Sequence, residues 1–321
     1  MDFVPILATT IRLSAPMVIA CLGITLNERA GIINLSVEGT ILLSAMAAFA
    51  TAFVTGSLWL GFGMALLVGA GMALLVAFGG ITLRQDQVAV GFVLALLAED
   101  VSSFLGTPYI QQQGPFVRRV NLPILSDLPV LGELFFKQDW VTYFSFVLIG
   151  VVWFFMYKTQ AGLQLRGIGE RPEAAHARGA NVNQLRFVYI TVGGALIGLA
   201  GAGYSLATQL GWSNRHTGGL GWIALSIVIF GGWDPLRVAF GAFLFGLLRA
   251  LAPNFQNAMP FIPSQVFPVL PFPLMILTLV LLNPERLDRV LAYLPGPTRR
   301  WLSGALRSNP PAALGTRFDP P

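Results

Sequence analysis

Residues 158–186 read KTQAGLQLRGIGERPEAAHARGANVNQLR, the one long polar and basic stretch in a chain that is otherwise mostly membrane-grade apolar sequence. It carries Lys158, Arg166, Arg171, Arg178 and Arg186 against Glu170 and Glu173. Lys and Arg accumulate on the cytoplasmic side of membrane proteins, so such a loop orients the spans on either side of it. Inside it, Pro172-Glu173-Ala174-Ala175-His176-Ala177-Arg178 reads as a short helix: Pro172 suits a first helical turn and Gly179 can end the last. A short helix set apart on a cytoplasmic face invites a docking partner.

Outward from this loop the composition is that of an integral membrane protein. Hydrophobic residues make up 55%, charged residues 11%, and the mean hydropathy is +0.70, whereas soluble domains carry about 25% charged residues. The pI of about 9.8 follows from cations in short loops beside apolar spans, with no need for a nucleic-acid partner. The single cysteine, Cys21, lies in an apolar run and reads as a buried, inert thiol. The run from Ile6 has no basic stretch before it and no clean small-residue cleavage site after it, so the first span is expected to be retained.

A helix needs about 17–25 apolar residues to cross the hydrocarbon core. That window gives spans near 6–26, 36–56, 58–80, 87–106, 141–157, 187–206, 221–232, 236–252 and 267–283. The fold class is therefore all-α, with about nine transmembrane helices, some of them broken or short. The seventh span cannot cross alone; it starts earlier, near Trp212, or is a half-helix buried among its neighbours. Placing 158–186 inside puts the N-terminus outside and the C-terminus inside. Fourteen of the twenty cations then fall in inside segments, four (Arg118, Arg119, Lys137 and Arg215) fall outside, and Arg12 and Arg249 lie within spans. Residues 1–294 form the transmembrane domain, 107–140 an external loop rich in turn residues, and 295–321 a cytoplasmic tail with too little apolar sequence to pack and an end expected to be disordered.

Two stretches can carry function. Between the first two spans runs LNERAGIINLSVEG (26–39), where Asn27, Glu28, Asn34 and Glu38 sit close to the membrane. Polar groups there must face a partner or water, and the pattern suggests irregular backbone tucked back into the protein. One reading makes Glu28 and Arg29 a local ion pair, with Asn34 and Ser36 capping the next helix. The other makes the segment line a transport route or contact a cytoplasmic partner. The second stretch, Ser205 to Arg237, brackets the short span with Gly218-Gly219, Gly221 and Gly231-Gly232, and Gly-interrupted helices point to binding sites in transporters. Trp212, Asn214 and Trp222 there suit either a flat ligand or interfacial anchoring. Gly194 and Gly198 read as a close-packing pair, and Arg12 and Arg249 as snorkelling or substrate-facing. His176 and His216 have no second ligand at metal spacing. The chain has no phosphate loop, HExxH or GxSxG motif, which argues against an enzyme and assigns any energy input to an ion gradient or another subunit.

The runs LNERAGIINLSVEGTILLSA, GLQLRGIGERPEAAHARGANV and GGLGWIALSIVIFGGWDPLRVAFGAFLFG, in this order, resemble the permease subunits of bacterial ABC importers, in the branch for simple sugars and nucleosides related to ribose and branched-chain amino-acid permeases. The similarity covers about residues 5–283. It implies the ABC importer permease fold in the bacterial inner membrane, and a second permease as partner, with a heterodimer favoured because the nucleoside branch commonly pairs such a shorter subunit with a longer, different permease. It also implies two ATP-binding subunits or one tandem ATPase, and an external substrate-binding lipoprotein. ATP and Mg²⁺ would be used by the ATPase, with no cofactor bound by this chain. Coupling to the ATPase falls on Gly169, Glu170, Pro172, Glu173, Ala174, Ala175 and Gly179. The substrate pathway is assigned to Asn27, Glu28, Asn34, Glu38, Trp212 and Trp222. The expected cargo is a nucleoside or related small polar molecule. A simple-sugar importer, a standalone secondary transporter or channel, and a membrane scaffold are the alternatives.

Overall fold

A computed structural model describes residues 3–120, 130–258, 273 and 310–319. Ten α-helices account for most of them: α1 (Phe3–Arg29), α2 (Val37–Thr55), α3 (Leu58–Ala77), α4 (Gln87–Gly106), α5 (Trp140–Lys158), α6 (Gln160–Glu170), α7 (Pro172–Ala177), α8 (Val182–Gly203), α9 (Leu220–Phe230) and α10 (Pro235–Ala258). Wide helical turns extend α3 over Phe78–Thr82 and α8 over Tyr204–Thr208. Seven of these are long and apolar enough to span a membrane. The short seventh span resolves as the half-helix: α9 has 11 residues, and 209–219 is not helical. The expected span at 267–283 lies outside the described residues apart from Pro273.

Helix starts follow local chemistry. Side-chain oxygens of Asp86, Asp139, Thr159 and Asn181 accept from the N–H groups of Ala89 (2.8 Å), Thr142 (2.8 Å), Gly162 (3.0 Å) and Gln184 (3.2 Å), meeting the donors that a helix N-terminus leaves open. At the end of α7, Gly179 adopts φ +87, its N–H donates to His176 O (2.8 Å), and Ala180 N–H donates to Ala175 O (3.1 Å). That pair of bonds is a Schellman stop.

Helix α1 is the shaft of the bundle. It packs on α5, α8, α9 and α10 and is buried without a break from Ser14 to Glu28. The buried thiol of Cys21 faces Ala224 O of α9 at 3.6 Å. Around the shaft, α3 and α8 cross closely because both present small residues: a Cβ on Gly69 would strike Gly194 O and Gly198 Cα, and one on Gly198 would strike Ala65 O. Between apolar helices in lipid there is little hydrophobic drive to associate, so such backbone contact is a main source of attraction. Large apolar side chains including Val54, Trp59, Leu67, Phe104 and Phe240 are left exposed on the outside.

The polar stretch 158–186 is more structured than its composition suggests. Helix α6 turns Leu165 and Ile168 inward, α7 stands at the end of the bundle, and Arg186 is drawn into α8 at 1% exposure. Residues 310–319 also differ from expectation. They are seated against the bundle end by main-chain hydrogen bonds together with the buried side chains of Ala313 and Phe318. Residues 295–309 lie outside the described set.

Gly69→Leu is expected to lower stability by roughly 1–3 kcal/mol through overpacking of the α3–α8 crossing. Gly63→Leu, on the same helix but facing open space, should leave it unchanged. Thermal unfolding of the two variants in one detergent separates these outcomes.

Candidate functional site

The end of α1 is a polar junction. The Glu28 carboxylate, 4% exposed, accepts from Trp233 Nε1–H. Arg29 donates from Nε to Trp233 O (3.0 Å) and from Nη2 to Gly232 O (3.1 Å), and its Nη1 lies 3.5 Å from Glu170 Oε1. Tyr157 donates to Asp234 Oδ2 (2.8 Å), and Asp234 Oδ1 accepts from Leu236 N–H and Arg237 N–H at the start of α10. Glu28 and Arg29 thus do not pair with each other. Both clamp the α9–α10 turn, over 200 residues away in sequence. Charge-assisted bonds of this kind contribute about 1.5–3 kcal/mol each. The Arg29–Glu170 pair, with Glu170 47% exposed, contributes about 1 kcal/mol at most. The carbonyl bonds therefore set the position of Arg29.

Beyond α1 the chain turns at Gly31 (φ +87), with Gly31 N–H on Glu28 O (2.9 Å) and Ile32 N–H on Asn27 O (3.2 Å). Segment 30–36 then folds back between helices. Ile33 N–H donates to Gln87 Oε1 (2.9 Å), and Asn34 Oδ1 accepts from Ser36 N–H (3.0 Å) and Ser36 Oγ–H (2.7 Å). Asn27, in the amide orientation its surroundings require, donates to Tyr189 O (3.1 Å) and Ile190 O (3.2 Å) and accepts from Asn34 Nδ2–H (3.2 Å). Ser36 occupies the N-cap position of α2 without a side-chain cap bond; its hydroxyl is held by Asn34.

Glu38, in the first turn of α2, makes the second latch. Its carboxylate accepts from Thr217 Oγ1–H (2.6 Å), Gly219 N–H (3.1 Å) and Gly221 N–H (2.6 Å) at the N-terminus of α9. The positive end of a helix suits a carboxylate. Gly221 is required there, because a Cβ would sit 2.5 Å from Glu38 Cα. Since the other end of α9 is held by Glu28 and Arg29, its 11 residues separate the two latches by about 16 Å. That is roughly half of a hydrocarbon core about 30 Å thick. Glu38 thus serves the end of segment 209–219, while segment 30–36 is held by Gln87, Asn34 and Arg186.

Trp212 and Trp222 occupy separate surroundings. Trp212 is buried against Gly106 and edge-on to His216 (4.7 Å), with Tyr204 stacked on the same imidazole (5.3 Å). Trp222 is partly exposed beside Phe92 (6.3 Å), and Asn214 is exposed. Arg215 pairs with Glu99 at 2.6 Å. At the bundle end opposite Arg29, Arg12, Arg118, Arg119 and Asp139 line a cavity of about 440 Å³, and Arg249 lies over the Tyr204 ring (5.8 Å). Among the described residues no group of three potential metal ligands converges.

Of the coupling positions, Gly169 lies so close to α1 that a Cβ would collide with Arg29 O. Glu170 meets Arg29, Pro172 is buried, Ala175 is half-buried, and Glu173, Ala174 and Gly179 are exposed. Sequence reading missed the roles of Trp233, Thr217, Tyr157 and Arg186. Trp233 and Thr217 lie in stretches flagged for their glycines. The available signal for Arg186 was its position at the edge of an apolar run, where a cation is drawn into the helix start.

Glu38→Ala strands three buried donors, so a stability loss of about 3–5 kcal/mol is expected; Glu38→Gln keeps one acceptor and should lose less. Trp233→Phe should lower stability by about 1–3 kcal/mol by leaving Glu28 without its donor. Thermal unfolding of the purified variants checks both.

The sequence matches the family described as branched-chain amino acid transport system / permease component over residues 6–279. It is 37% identical over 256 residues to the putative glucose ABC transporter permease protein TsgC13 of Haloferax volcanii, covering 78% of each chain. The nucleoside ABC transporter permease protein NupC of Lactococcus lactis is 32% identical over 293 residues (86% of this chain, 91% of the relative). The guanosine ABC transporter permease protein NupQ of Bacillus subtilis is 30% identical over 301 residues (87% and 93%). The same two bacteria carry further permeases, NupB and NupP, that match at 19% and 25%. With its helical fold, seven apolar spans among its described residues and a match over most of its length, this chain belongs to the branched-chain amino acid transport system permease family and is a multi-pass ABC transporter permease subunit, a transport component rather than an enzyme.

Proposed function

We propose that this chain is one half of the translocation pathway of an ATP-driven importer for nucleosides or related small polar molecules, and that α7 is its contact with the ATPase. The carrying observation is the placement of α7. It stands at the bundle end with Glu173, Ala174 and Ala177 exposed, while the adjoining Gly169 and Glu170 are held against Arg29. A pull on α7 reaches Arg29, then the α9–α10 turn, and through α9 the Glu38 latch. Gly169, Glu170, Pro172 and Gly179 shape the corner; Glu173, Ala174 and Ala175 offer the docking face.

In this reading the Arg29 end is cytoplasmic, the N-terminus of α1 is outside and the C-terminus is inside, which the cation distribution supports. ATP and Mg²⁺ are bound by two ATPase subunits or one tandem ATPase, and an external binding lipoprotein delivers the cargo. The second permease is a different chain: NupC and NupQ each have a second matching permease in the same organism, which supports a heterodimer. Asn27, Glu28, Asn34, Glu38 and Trp212 shape the pathway wall from inside the protein, and the partly exposed Trp222 beside Phe92 is the one placed to touch cargo. The similarity to TsgC13 keeps a simple sugar as the second reading.

With the partner subunits reconstituted in vesicles, Ala175→Glu should reduce ATP-driven uptake by roughly tenfold or more, as expected for a charge forced into a close-packed contact. The variant should remain in the membrane. Uptake by the purified chain alone, driven by an ion gradient without ATP, would overturn the reading. Binding of nucleosides and pentoses to the cognate lipoprotein decides between the two cargo classes.

A further inference from the structure

The segment 310–319 has no role in the scheme above, yet it lies against the α6–α7 corner and the segment that follows α1. Ala313 N–H donates to Gly169 O (2.9 Å), and Ala312 N–H donates to Glu170 Oε2 (3.2 Å). Two residues further on, Gly315 N–H donates to Gly31 O (3.0 Å). Arg186, 1% exposed, donates from Nε to Ala30 O (3.1 Å) and from Nη1 to Thr316 O (2.9 Å). One buried guanidinium thus joins the chain after α1 to the tail.

The segment is folded on itself, with Leu314 N–H on Pro311 O (3.0 Å) and Thr316 N–H on Ala313 O (3.1 Å). Gly315 takes φ +73, and a Cβ there would meet Ile33 Cδ1 at 2.7 Å. Phe318, 8% exposed, packs on His176 of α7 (5.4 Å), and Asp319 pairs with Arg84 (3.0 Å) at the rim.

We propose that residues 310–319 are a strap, seated by Arg186 as a positioning residue, that holds the α6–α7 corner to the segment following α1 so that movement of α7 is passed to the Arg29 junction. The transmission half of this proposal rests on the coupling role given to α7 above. The physical need is clear from the alternative. Without the strap, the charged link between corner and junction is Arg29–Glu170, whose acid is half-exposed, and such pairs hold geometry weakly. The strap adds main-chain bonds to both sides at once and supplies the acceptor that the buried Arg186 Nη1 would otherwise lack.

Two measurements test this on the chain truncated after Asn309. Amide exchange on the purified protein reads the brace alone: residues 30–33 and 169–177 should exchange about tenfold faster than in the full chain, since local opening sets the rate. Exchange unchanged within about twofold overturns the strap. Uptake per ATP hydrolysed, in the complete transporter, reads transmission and should fall about fivefold or more while the ATPase still co-purifies. An unchanged ratio, or faster uptake, overturns the positioning role. Ala313→Pro, which removes the donor to Gly169 O and sets the ring Cδ against that carbonyl, should reproduce both effects in a chain that keeps Phe318 and the Arg186 acceptor. If the full-length chain fails to co-purify an ATPase, the coupling reading fails, and amide exchange still decides the strap.

Discussion

An interrupted helix inside a membrane leaves backbone N–H and C=O groups that no bulk water can satisfy, and such backbone survives only where the protein supplies the partners. Two interruptions among the described residues, 30–36 and 209–219, are met in this way: Gln87, Asn34 and Arg186 serve the first, and Glu38 the end of the second. The Glu38 carboxylate takes the free donors at the start of α9, and Glu28 and Arg29 hold the turn at its end. Helix α9 is therefore a short strut fixed at both ends. Its 11 residues cannot cross a membrane alone, and the structure does not ask them to.

Much of the architecture was legible because membrane helices advertise themselves by apolar length, and their ends by Ser, Thr, Asp, Asn and Gly. The positions of α2 to α5, the shortness of α9 and the close packing at Gly194 and Gly198 all follow from residues within one window of sequence. What a window cannot show is partnership across it. Glu28 beside Arg29 invites a local ion pair, but the indole of Trp233 and the carbonyls of Gly232 and Trp233 arrive from 200 residues away and take both side chains. Arg186 reads as one more loop cation until α8 draws it inside. The docking of 310–319 was the least legible of all, because its partners, the carbonyls of Gly31 and Gly169 and the side chains of Arg84, Glu170, His176 and Arg186, lie more than 120 residues away.

The site is similarly divided. Polar residues in apolar surroundings flagged this stretch, but only Asn34 lies on irregular backbone; Asn27 and Glu28 belong to α1 and Glu38 to α2. Each of the four is engaged by a protein group, so all four hold the packing of the bundle. Trp212 and Trp222 illustrate the converse. The same residue type within ten positions gives one ring sealed against Gly106 and another left partly open beside Phe92, and only packing distinguishes them.

Magnitudes indicate which joints can move. Reversing a two-state population from 1:99 to 99:1 takes about 5.5 kcal/mol. The Glu38 latch has three donors on one buried carboxylate, at about 1.5–3 kcal/mol each, so its rupture alone would cost an amount comparable to that. The start of α2 and the start of α9 should therefore move as one body. The Arg29–Glu170 contact, half in solvent, is worth about 1 kcal/mol at most, and the hydrogen bonds of 310–319 to main-chain carbonyls about 0.5–1.5 kcal/mol each. Compliance is thus concentrated at the α6–α7 corner, while the deep latch stays rigid. A transporter driven from one end requires that gradient: a joint soft enough to be moved by a partner, attached to a strut stiff enough to carry the displacement inward.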